Sequence, residues 1–150
     1  MIYTKNQIKI HQLKSYEIQI EIFDLVSEFI HRSRESERNV DSIIIQACNV
    51  VERGGACWLI RDGLDPVGYF FAEIMPTEYG TTICFIHELF ISPRHSRKRL
   101  INSIDEIIGS WARTKNTTEI AFFTRRDPWA FRNLLKNGWD IDSFVMKRCV

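Results

Sequence analysis

Residues 86–104, IHELFISPRHSRKRLINSI, pass from a strand to a helix through a basic turn. The strand half completes an apolar run that starts at residue 82, TICFIHELFIS. Pro93 stops that run, and RHSRKR (94–99) follows as a turn crowded with positive charge. From Leu100 the period changes. Leu100, Ile104, Ile107, Ile108 and Trp111 share one face of a helix that reaches about residue 113. TEIAFFT (118–124) is a further strand. A strand, a helix and a strand in this order predict a right-handed parallel crossover over 82–124.

Upstream of this unit the chain reads as consecutive strands. ACWLIRD (56–62) and VGYFFAEIM (67–75) are separated by the turn GLDP, and PTEYG turns into the strand at 82. Short turns between successive strands predict an antiparallel meander. Farther upstream, QIKIHQL (7–13) alternates as a strand does. Ser15 is a candidate cap for a helix over about 16–31, with Ile18, Ile22, Leu25, Val26, Phe29 and Ile30 on its apolar face. RSRESER (32–38) carries both signs of charge and reads as a solvated loop. Asp41 then caps a second helix whose apolar side carries Ile44, Ile45, Cys48 and Val51, and Gly54-Gly55 ends it. Downstream, Asp127-Pro128 starts a helix that runs to Lys136 and stops at Asn137-Gly138, and WDIDSFVMKRCV (139–150) is strand-like.

The order β-α-α-β-β-β-α-β-α-β predicts one domain over residues 1–150. The fold class is α/β, of the α+β mixed-sheet kind. A central, mostly antiparallel sheet contains one parallel β-α-β crossover and carries helices on both faces.

Composition narrows the function. Hydrophobic residues make up 45% of the 150, enough for a real core, and the formal net charge is +1. No global field draws nucleic acid, and no aromatic residue interleaves with the RHSRKR cluster as a stacking platform requires. Cys48, Cys57, Cys84 and Cys149 show no CxxC spacing and read as free thiols, which suits a reducing cytoplasm. No apolar run approaches a membrane span, and the N-terminal residues lack a signal-peptide core. His11, His31 and His95 have no partners at ligand spacing, so no metal site is expected.

The element order resembles that of the GNAT superfamily of acyl-CoA-dependent N-acyltransferases, over nearly the whole chain. Two segments carry the resemblance at residue level. Glu88-Leu89-Phe90-Ile91-Ser92-Pro93 is similar to the family's strand and Pro turn, after which R/Q-x-x-G-x-G/A opens the helix. Aligned on Pro93, Ser96 stands at the R/Q position, Arg99 at the first glycine and Ile101 at the G/A position. The second segment, 118–148, resembles N-x-x-A-x-x-x-Y-x-x-x-G-F. Ala130 and Gly138-Trp139 match, Asp127 stands at the Asn, and Leu134 replaces the tyrosine that often serves as general acid.

The resemblance implies acetyl-CoA as cofactor and an amine, small or on a protein, as acceptor. It implies cofactor contacts at Ile91, Arg94, Ser96, Arg97, Lys98, Arg99 and Asp127. Glycines at such a loop let phosphate approach backbone N–H groups at a helix N-terminus. Arg99 and Ile101 crowd that approach, while arginine forks offer a side-chain clamp instead. The alternative is a solvated basic turn or a patch for an acidic partner. A base must also take the proton of the amine. Glu88 and His87 are the candidates, and as neighbours on a strand they are expected on opposite faces, with Glu73 a third option. Tyr69 and Tyr79 are candidate acids. The missing loop glycines and tyrosine support a second reading: a GNAT-type protein that no longer catalyses and binds a protein partner. Compact GNAT-like proteins with eroded loops occur among tailed bacteriophages near virion-protein genes, which extends that reading to virion assembly and to a host-cytoplasm or virion location. Trp129 and Trp139 would then be exposed for binding.

Overall fold

The computed structural model describes residues 2–5, 7–32, 38–95, 97–123, 136, 138 and 139, with backbone alone for 2–5 and 97–99. Four antiparallel pairings and one parallel crossover build its sheet. Strands β1 (Ile2–Lys5), β2 (Ile8–Leu13), β3 (Ala56–Asp62), β4 (Asp65–Pro76), β5 (Thr82–Ile91) and β6 (Ile120–Phe122) lie side by side in chain order. All pairs are antiparallel except β5 with β6. Helices α1 (Ser15–Arg32) and α2 (Val40–Glu52) come between β2 and β3, and α3 (Arg97–Thr114) connects β5 to β6. The parallel crossover expected over 82–124 is therefore present.

Period-two side chains on a sheet covered on both sides produce two cores. On one face, α3 buries Leu100, Ile104, Ile107, Ile108 and Trp111 against Ile10, Trp58, Phe70, Ala72 and Ile86. Trp58 stacks on Phe70 at 4.7 Å and meets the edge of Trp111 at 5.4 Å. On the other face, Ile18, Ile22, Leu25 and Val26 of α1 and Ile43, Ala47 and Val50 of α2 pack on Leu59, Tyr69, Phe71 and Phe90. Each such fully buried aliphatic side chain contributes about 1.5–3 kcal/mol.

Several expectations shift. β1 is an added edge strand, N-terminal to the first strand expected from the sequence. Ser15 is the first residue of α1 rather than its cap. The cap of α2 is Asn39, whose Oδ1 accepts from the Ser42 N–H at 2.8 Å, so Asp41 lies inside the first turn. The buried stripe of α2 runs through Ile43 and Ala47, leaving Ile45 exposed. The GLDP turn tightens to Gly63-Leu64, with Gly63 at φ 63° and Asp65 already paired with Asp62. Trp139 is not an exposed flank. It packs against the α3-side core, and its Nε1–H donates to Asp105 at 3.1 Å. All of the helix expected from Asp127 except Lys136, with Trp129, most of the final strand and Cys149, lies outside the described residues. No described helix is long and apolar enough to cross a membrane.

Candidate active site

One irregularity in the β4–β5 ladder decides where the chemistry-bearing side chains point. Phe71 of β4 pairs with Glu88, yet the next residue, Ala72, pairs with Ile86. His87 is the extra residue of a β-bulge. A bulge resets the alternation of its strand. Cys84 and Ile86 consequently face α3, whereas Glu88 and Phe90 face α1 and α2. His87 sits on that second face too, stacked beside Phe71 at 6.2 Å and edge-on to Phe85 at 5.0 Å. The expectation that His87 and Glu88 face opposite sides is thereby overturned: both project under α1 and α2.

His87 is held by Glu73, its Nε2 lying 2.8 Å from Glu73 Oε1. Burial pushes the Glu73 carboxyl up. Hydrogen bonds from Arg53 and His87, together with their charges, outweigh that and hold it below the ordinary value of 4.5. Arg53, at the end of α2, reaches both carboxylate oxygens at 3.2 Å. An ionised carboxylate only accepts hydrogen bonds, so the Nε2 of His87 must be the protonated nitrogen. In the neutral ring this leaves Nδ1 with its lone pair, the state a general base needs.

Glu88 is placed differently. Its side chain is 7% exposed and its Oε2 lies 2.7 Å from Nη2 of Arg38. Arg38 comes from the end of RSRESER, a segment read as solvated. Tyr69 stands on the same face, fully buried, and its hydroxyl has no hydrogen-bond partner among the described residues. Burial first, then the Glu88 charge, push its phenol well above the usual range. Tyr79 is exposed in the β4–β5 turn. Arg38 and Arg53 belong to this site without any sequence signal that marks them, because contacts from the α1–α2 connection and the end of α2 follow only from how these helices lie on the sheet.

The residues expected to hold a cofactor are partly visible. Ile91 is buried against the α3 side. Arg94 is tied back to α1: its Nε–H donates to Ser92 Oγ at 3.1 Å, Ser92 donates to Glu28 at 2.9 Å, and Arg94 Nη2 lies 4.0 Å from Glu28. His95 reaches Asp62 and Asp65 at 3.7 and 3.4 Å. Arg97, Lys98 and Arg99 form the first turn of α3, which carries no acidic residue. Ser96 and Asp127 lie outside the described residues. The β5–β6 ladder has three pairs, from Cys84 with Ile120 to Ile86 with Phe122, and among the described residues none continues beside His87 to Ile91. Two shallow depressions of about 230 and 320 Å³ line the α3–β6 junction and the β4–β5 turn, away from Glu88 and His87. No cluster of three metal-ligating side chains occurs among the described residues.

No protein-family model matches the sequence, and no curated protein does. Solved structures do match in fold. A ribosomal-protein-alanine N-acetyltransferase from Brucella melitensis biovar Abortus 2308 superposes with TM-score 0.70 at 15% identity, covering 94% of this chain and 99% of that one. A predicted acetyltransferase with acetyl-CoA from Clostridium acetobutylicum gives TM-score 0.71 at 11% identity, covering 94% and 96%. An aminoglycoside acetyltransferase from an uncultured soil metagenomic sample gives 0.65 at 14% identity, covering 97% of each chain. The chain has the fold of the GNAT N-acetyltransferases.

Proposed function

We propose that this chain is an N-acyltransferase that moves an acetyl group from acetyl-CoA to an amine, with His87 as its general base. The observation that carries this reading is the His87–Glu73 pair, 2.8 Å apart on the face under α1 and α2. Glu88 is the poorer base, because its buried carboxylate is engaged by Arg38. Acetyl-CoA, when bound, supplies an acyl carbon already activated as a thioester.

The chain's own residues supply the rest. His87 Nδ1 accepts the proton that the attacking amine sheds. Glu73 fixes the ring in the tautomer that presents Nδ1, and its negative charge stabilises the imidazolium that forms. Arg53 keeps Glu73 ionised and in place. The features that fit a CoA thioester are the edge of β5 from His87 onward, which β6 leaves unpaired among the described residues, the α3 N-terminus, and Arg97, Lys98 and Arg99 in the first turn of that helix. Tyr69, buried with a hydroxyl that has no partner among the described residues, is the donor nearest in kind to a general acid.

Calorimetric titration with acetyl-CoA, followed by a thiol-release assay over a panel of amines, tests the reading. Binding and amine-dependent release of CoA are expected, and both depend on His87. Absence of binding at millimolar acetyl-CoA rules it out and leaves a GNAT fold used for protein binding.

A further inference from the structure

Arg38 precedes the cap of α2 and reaches inward. Its guanidinium meets Glu88 at 2.7 Å and lies over the Phe29 ring, 6.0 Å from the centroid. Phe29 packs on Phe90 at 5.5 Å, and Phe90 on Tyr69 at 6.0 Å. The Tyr69 hydroxyl is buried, unpartnered among the described residues, and within electrostatic reach of both Glu88 and Arg38. An aromatic ring face beside a buried carboxylate is a setting that attracts an organic cation. Here the cation belongs to the chain itself.

Building on the acyltransferase reading, we propose that Arg38 is a built-in surrogate for the acceptor. The acceptor is a di- or polyamine whose second, positively charged nitrogen displaces Arg38 and binds Glu88. Displacement by a neutral group would cost Glu88 the Arg38 ion pair, whereas a cation exchanges one ion pair for another. Arg38 is suited to leave, since 31% of its side chain already faces solvent, against 7% for Glu88. The bulge sets Glu88 and His87 side by side on one face, so a cation anchored at Glu88 delivers its other nitrogen to the base. Only the deprotonated end of the acceptor is acylated; the anchoring end stays charged.

Two measurements decide this. In the first, methylguanidinium is titrated into the wild type, Arg38→Ala and Arg38→Ala/Glu88→Gln by calorimetry and thermal melting. Arg38→Ala is expected to bind at least tenfold more tightly than wild type and to recover melting temperature, and the double variant to do neither. Equal binding by wild type and Arg38→Ala overturns the proposal. If Arg38→Ala does not fold, Arg38→Gln takes its place under the same criterion. In the second, kcat/KM with acetyl-CoA is compared for 1,4-diaminobutane and butylamine. A preference of at least tenfold for the diamine is expected, and it is lost in Glu88→Gln. Equal use of both overturns the proposal. No turnover with any amine defeats the acyltransferase reading instead, and the cation titration then judges the subsite by itself.

Discussion

His87 and Glu88 are neighbours in sequence and face the same side of the sheet, because the bulge at His87 sets Phe71 opposite Glu88 and Ala72 opposite Ile86. A charged carboxylate and an imidazole thereby share one site. Each is already committed to a different arginine-linked partner, Glu88 to Arg38 and His87 to Glu73.

That division of labour separates two substitutions. His87→Gln removes the base, and kcat/KM is expected to fall by roughly 10² to 10⁴, the range of general-base contributions. Glu73→Gln keeps the base and loosens its orientation, with a loss on the order of 10- to 100-fold, as for other partners that fix a histidine. Steady-state kinetics with one amine, read as kcat and KM separately, checks the ranking. A larger loss in Glu73→Gln than in His87→Gln would reverse the assigned roles.

Glu73 also links stability to pH. Its carboxyl titrates lower in the folded chain than the ordinary value of 4.5. Its contribution is therefore fully present above that value and is lost as pH falls through the folded one. Glu73→Gln is expected to cost about 1.5–3 kcal/mol at neutral pH, the scale of a charged hydrogen bond. The gap from wild type narrows in acid below pH 4.5. Urea unfolding at pH 7 and pH 3 measures it.

Asn39 rather than Asp41 terminates α2 at its start. Asn39→Ala is expected to cost about 1 kcal/mol. Asp41→Ala costs a few tenths, about the worth of one exposed acid at a helix N-terminus. Parallel denaturant melts distinguish them.

Gly68 has no room for a side chain. A Cβ there would sit 2.5 Å from the carbonyl oxygen of Phe90, in the neighbouring strand's backbone. Gly68→Ala must push β4 from β5 and is expected to cost about 1–3 kcal/mol, read by thermal or urea unfolding.

Cys57 and Cys84 are buried thiols, and burial pushes Cys84 up to about 11 and Cys57 higher still. Neither is a thiolate at neutral pH. Both are expected to resist a disulfide reagent in the folded protein and to react on denaturation, as mass spectrometry of labelled peptides will show.

Much of this architecture was legible in the residues. The apolar face of α3, the apolar stripe of α1, the meander and the parallel crossover follow from local periodicity, and local periodicity is a property of the chain alone. The bulge was not legible, and the reason is specific. Cys84, Ile86, Glu88 and Phe90 are all buried, so β5 alternates without visible interruption. Because helices cover both faces, the first two of these can face α3 and the last two α1 and α2 with no change in the pattern of burial. Arg38 hid for a related reason: in RSRESER it looks like any solvated charge, and only the placement of α2 over the sheet brings it to Glu88. The order of elements and the apolar faces were thus written in the sequence itself. Which face His87 takes, and what Glu88 meets there, depend on strand register and helix docking, and those are settled only by contacts between residues far apart in the chain.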